Sequence, residues 1–179
     1  MPVAPMPSRA ALALAAALAL PACGGTVDFT LERDLEVNTA VDGGAILAPI
    51  DLAAEAGRAW SHRDKISDVS INGAEATITE VHAPPNTAAA VSGSVWLLPE
   101  GATAPGAGAV QVGSFTDEPV AVGTTLALQP SPALDAFVRD AFKGTGRFGV
   151  YAIGTGAGGA VVAVRLHVVL GASLKWYVM

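Results

Sequence analysis

Residues 27–38 read VDFTLERDLEVN, and this stretch decides the fold class. Val27, Phe29, Leu31, Leu35 and Val37 fall on one side of an extended chain, while Asp28, Thr30, Glu32, Asp34, Glu36 and Asn38 fall on the other. Successive side chains of a strand point to opposite faces, so this period-two alternation predicts a strand with one buried face. Arg33 is its one inward break. A sheet apolar on one side must cover that side with a second layer, so the rest of the chain must supply one.

Moving outward, Asp42-Gly43-Gly44 predicts a turn, and Ala45 to Ile50 a short strand. Asp51 to Trp60 (DLAAEAGRAW) predicts a helix with Asp51 as its N-cap, weakened by Gly57. Val69 to Val81 (VSINGAEATITEV) is either a hairpin turning at Asn72-Gly73 or one long strand bulged at that pair, and the long strand is slightly favoured. Residues 83–88 (APPNTA) form a loop, because two prolines cannot both donate to a ladder. Ala89 to Leu98 and Val110 to Phe115 make a hairpin across a Gly/Ala/Pro loop, with Trp96 expected in the core. Thr124 to Gln129 is a further strand. Ser131-Pro132 then opens a helix that runs through Lys143, with a cap residue followed by proline at the first helical position. Arg147 to Ile153 and Ala160 to Leu170 are expected as a final hairpin turning at Gly154 to Gly159, with Leu174 to Tyr177 as a last strand or tail. Glycines in the first half of the apolar stretch from Val150 to Leu170, and Arg165 with His167 in its second half, argue against a membrane-spanning helix there.

About eight short strands, with two short helices as crossovers, predict a mainly β chain. Its expected fold is a single antiparallel β-sandwich, immunoglobulin-like in general architecture. A chain of 179 residues has room for one such core. Hydrophobic residues make up 51% and charged residues 15%, a balance that favours compact folding over disorder. The formal charge is −6, and it becomes about −7 once the leader carrying Arg9 is removed. An acidic chain of this kind offers no electrostatic footprint for nucleic acid, and its net charge argues against adhesion to anionic headgroups.

Upstream of the first strand, Arg9 is followed by an eleven-residue run of Ala and Leu from Ala10 to Leu20. A charged segment before a short apolar run has the form of an export signal, and the run is too short to span about 30 Å of hydrocarbon. Leu20-Pro21-Ala22-Cys23-Gly24 follows directly. This resembles the lipobox of bacterial lipoproteins, with an aliphatic residue three before the cysteine and a small residue just before it. Pro21 departs from the residues usual at its position. The resemblance covers residues 1–24. It implies a signal peptide over residues 1–22, a lipid on Cys23 and a short lipidated tether over 23–26, leaving 27–179 as the β-sandwich domain. Gly24 rather than Asp after the cysteine implies the outer membrane in a Gram-negative host. Cys23 is the chain's single cysteine, so it has no internal disulfide partner. The alternative is an ordinary signal peptide cut near Pro21-Ala22, which leaves a lone cysteine at the end of a leader without a purpose. From Lys65 onward, the order of long strand, hairpin, helical crossover and final hairpin resembles envelope lipoproteins built of one β-sandwich domain.

Searches for chemistry lead to no catalytic set, no cofactor site and no metal site. Gly154-Thr155-Gly156-Ala157-Gly158-Gly159 spells the dinucleotide fingerprint, yet Val161 to Val164 read as a strand rather than a helix, and no carboxylate follows Asp140. The acidic face of Asp28, Glu32, Asp34 and Glu36 raises calcium as a possibility, but reads better as a solvated strand face that discourages edge pairing. His62, His82 and His167 lie in three separate segments without ligand spacing. Trp176 and Tyr177 are the best candidates for an exposed contact surface. The expected function is therefore a non-enzymatic binding or structural module, held to the cell envelope through Cys23, with an envelope protein or glycan as its possible partner. A small-ligand or glycan-binding module is the alternative, marked by a concave pocket containing Trp176, Tyr177 or Trp60. A hydrolase ranks third.

Overall fold

The computed structural model describes residues 25–176, and the expected signal peptide over residues 1–22, Cys23 and Tyr177 lie outside them. The first strand, β1 (Gly25–Asn38), begins two residues earlier than the sequence pattern predicts. Its faces are as expected: Leu31, Leu35 and Val37 are buried, Val27 and Phe29 pack against the core, and Asp28, Glu32, Asp34 and Glu36 are exposed. Asn38 caps a single helical turn, α1 (Thr39–Asp42), closed by Gly43 in the left-handed region. The next strand, β2 (Ala45–Asp51), is also as predicted. Asp51 does act as an N-cap, accepting from Ala53 N at 2.9 Å, but the predicted helix is broken. Gly57 takes a φ of +49° and divides it into two single turns, α2 (Leu52–Glu55) and α3 (Arg58–Ser61), with a 3₁₀ turn at Arg63–Lys65 after them.

The strand β3 (Ile66–Val81) is one long strand rather than a hairpin, and its register shifts at Ile71/Gly73. This bulge at Asn72-Gly73, with further register shifts at Ile66/Asp68 and Ile78/Glu80, lets it pair along its whole length with the last strand. The hairpin of β4 (Ala90–Pro99) and β5 (Val110–Pro119) forms as expected, followed by β6 (Thr125–Leu128). Ser131 caps α4 (Pro132–Lys143) by accepting from Leu134 N at 3.2 Å, and the helix buries Leu134, Val138 and Phe142.

The last two strands, β7 (Arg147–Gly156) and β8 (Ala163–Trp176), do not form the expected hairpin. They lie in different sheets. One sheet runs in the order β1-β8-β3-β6 and the other β2-β7-β4-β5, all pairs antiparallel. The turn at residues 157–159, with Gly158 and Gly159 at positive φ, delivers the chain across the sandwich. There Val161 and Val162 are held by backbone bonds to Thr87, Ala88 and Thr39. Leu174 and Lys175 continue β8 rather than forming a separate strand. Two four-stranded antiparallel sheets make the predicted sandwich. Their interleaved order is that of a jelly roll, in which the chain passes repeatedly from sheet to sheet.

The core lies between the sheets and is apolar throughout, without a buried polar or charged side chain among the described residues. Trp96 is not in it. Val95 and Leu97 point inward, so Trp96 between them points out, half-buried, with its indole N–H donating to Ser94 Oγ at 2.9 Å. It shares the outer face of its sheet with Tyr151, Leu47 and Ile153, the last two notably exposed for large apolar residues.

Candidate functional site

Strand directions sort the connections into two ends of the sandwich. The start of β1, the turns between β2 and β3, the β4–β5 loop, α4 and the end of β8 gather at one end, which we call the proximal end. Here Gly25 pairs with Trp176 across β1 and β8. A Cβ on Gly25 would lie 3.0 Å from the Trp176 indole nitrogen, so glycine permits this close approach. The His62 ring sits 5.5 Å from Trp176 between centroids, and the Ser67 hydroxyl donates to the Lys175 carbonyl at 3.0 Å. Behind them the Arg63 guanidinium lies 4.6 Å from the Trp60 ring, which packs against Phe142, itself edge-on to Phe29. Trp176, expected to be exposed, is half-buried in this corner.

A second set of polar residues lies on the outer face of the first sheet. Register places Glu36 opposite Arg165, and Arg165 opposite Glu80. The Arg165 guanidinium donates to both carboxylates, and His82 Nε2 lies 3.0 Å from Glu36 Oε2. One step along, His167 Nδ1 lies 2.8 Å from Asp34 Oδ1. Ser173 donates to Asp28 in the same manner. The hydrogen bond from Arg165, and then that from His82, hold the Glu36 carboxyl below its usual range, and the Glu36 carboxylate raises the Arg165 guanidinium. Three of the four carboxylates on the acidic face of β1, Asp28, Asp34 and Glu36, are thus matched across β8 while the face stays exposed, and Glu32 stands opposite Val169. Sequence reading missed this ladder, although Arg165 and His167, spaced two apart on one strand, carried the signal.

Tested as a reaction centre, this ladder offers two His–carboxylate pairs on an exposed sheet face. His62 lies at the proximal end, far from the other two histidines in the chain order of the sheet. Among the described residues no group of three or more His, Cys, Asp or Glu is placed to hold a metal ion. The glycine fingerprint of residues 154–159 is a turn between sheets, followed by β8 and not by a helix. Between the sheets a gap of about 30 Å³ is lined by Leu31, Ile50, Val95, Val112, Phe148 and Val168. That is room for about two waters, but its apolar walls give a water nothing to bind. Neither Trp60 nor Trp176 lines it. Among the described residues no helix is long and apolar enough to cross a membrane.

No protein-family model matches the chain, and no curated protein matches it in sequence. Among solved structures, a chain of Desmodium yellow mottle tymovirus aligns over 96% of this chain and 98% of its own, at 9% identity and a TM-score of 0.37. The decameric BFDV capsid protein aligns over 84% and 98%, at 12% identity and a TM-score of 0.41. A chain of mud crab tombus-like virus aligns over 100% and 94%, at 10% identity and a TM-score of 0.34. At these scores the likeness carries no functional argument, and the fold assignment stands on the strand order itself.

Proposed function

We propose that the protein is a lipid-anchored lipoprotein of the cell envelope, whose jelly-roll sandwich serves as a non-enzymatic binding or structural module. The observation that carries this reading is the sequence Leu20-Pro21-Ala22-Cys23, set directly after the Ala/Leu run and two residues before the first strand. A thiol is required at that position because sulfur forms the thioether to the lipid, and a small residue before it leaves the peptide bond open to the peptidase. The non-enzymatic part is supported by the setting of the His–carboxylate pairs, which lie on an open sheet face where water screens their charges. Trp60 and Trp176 are engaged by Arg63, Phe142, His62 and Gly25, which favours a structural role for them over a glycan platform.

Intact-mass analysis of the protein purified from its own membranes tests the anchor. The expected product begins at Cys23 and carries diacylglycerol on its sulfur, and Cys23→Ala yields an unlipidated or unprocessed chain. A free thiol on Cys23 in the wild-type protein overturns the reading.

A further inference from the structure

We propose that the proximal end of the sandwich is a lipid-headgroup contact surface, seated on anionic phospholipid through Arg63, Lys65, Lys175 and Trp176. The proposal rests on the lipid-anchor reading and departs from the expectation, read from net charge, that the chain does not adhere to anionic headgroups. Geometry comes first. Only Gly24 separates a lipidated Cys23 from Gly25, and two extended residues reach about 7 Å. A lipid on Cys23 therefore brings the end that contains Gly25 and Trp176 to the headgroups, whatever the rest of the molecule does.

Charge then decides whether that approach is favourable. The chain is acidic overall, yet its bases are unevenly placed. Beyond the leader, only Arg33 and Arg165 lie outside the proximal end and the segments that build it, and both are committed to carboxylates. The opposite end, formed by residues 38–44, 82–89, 119–124 and 156–162, has no Lys or Arg at all. Around Trp176, the bases Arg63, Lys65 and Lys175 take part in none of the ion pairs found among the described residues, whereas Arg139 and Arg147 do. Carboxylates share this end: Asp64 and Asp68 lie on the same rim, and Asp28, Asp51, Glu55, Glu100, Asp135 and Asp140 lie on the strand ends, turn, loop and helix behind it, where Arg147 takes up Asp51 and Glu100, Arg33 takes up Glu55 and Arg139 takes up Asp140. A half-buried tryptophan flanked by long basic side chains suits headgroup depth, where an indole keeps its ring in apolar surroundings and its N–H in water.

The test uses the full lipidated protein, with the Cys23 thioether first verified by intact mass. It is reconstituted into phosphatidylcholine vesicles with or without phosphatidylglycerol, each carrying a headgroup nitroxide that quenches nearby indoles. Trp176→Phe identifies which part of the quenching belongs to Trp176, since Trp60 and Trp96 remain. Expected is quenching of Trp176 that is stronger with phosphatidylglycerol, weakened by added salt, and largely lost in Lys65→Glu/Lys175→Glu with an unchanged far-UV spectrum. A thioether on Cys23 with Trp176 unquenched, equal quenching on both vesicles, or shielding of Trp176 only by an added envelope protein overturns the contact and leaves the anchor standing. A free thiol overturns both.

Discussion

The guanidinium of Arg33, the one charged group on the inward face of β1, donates to the carboxylate of Glu55 on α2. This bond ties an edge strand of one sheet to the turn that follows an edge strand of the other. Glu55 Oε1 also accepts from Asp51 N at 3.4 Å, so the pair sits on the reciprocal cap of α2. With side chains 36% and 21% exposed, the pair is partly screened, so Arg33→Ala and Glu55→Ala should each cost about 1 kcal/mol. A double-mutant cycle should return a coupling of roughly 0.5 to 1 kcal/mol that shrinks in salt. Zero coupling would mean that Arg33 acts through its aliphatic stem alone.

The inward face of β1 should dominate stability. Leu31 and Leu35 are 6% and 3% exposed, and alanine at either leaves a cavity costing roughly 2 to 5 kcal/mol. Glu32→Gln, on the exposed face, should cost under about 0.5 kcal/mol. Urea unfolding of the three variants measures both, and equal losses would contradict the face assignment.

Glu36 should give the fold a small acid sensitivity. Its folded pKa lies below the ordinary 4.5, held down by Arg165 and then by His82, so its contribution is present above the unfolded value and fades as pH falls through the folded one. Unfolding midpoints followed downward from neutral pH should decline below about 4.5, and the decline should be shallower in Glu36→Gln. Identical slopes would show that other carboxylates carry the acid response.

Gly146 should resist substitution for two separable reasons. It has a φ of +79°, and a Cβ there would lie 2.5 Å from Trp60 Cη2. Gly146→Ala should cost roughly 1 to 3 kcal/mol. In a Trp60→Leu background the clash disappears and only the backbone strain remains, so the same substitution should cost less. An unchanged penalty would place the whole effect in the backbone.

The sequence by itself determined which face of β1 is buried, that Asp51 and Ser131 cap helical turns, that Asn72-Gly73 lies within a long strand or its turn, and that the fold is a β-sandwich. Each of these is local: side-chain alternation, a capping oxygen and a glycine's freedom act within a few residues. Tertiary structure alone decided the partners. Alternation tells a strand which side is apolar but not which sheet will cover it, so β7 and β8 looked like a hairpin until packing placed them in opposite sheets. Trp96 turned outward for a related reason. An apolar run of four hides its period, and only the positions of Val95 and Leu97 against the facing sheet fixed it. The Glu36–Arg165–Glu80 ladder and the corner of His62, Ile66 and Trp176 join residues from distant segments, because antiparallel registry and shared strand ends make neighbours of side chains that the linear chain keeps far apart.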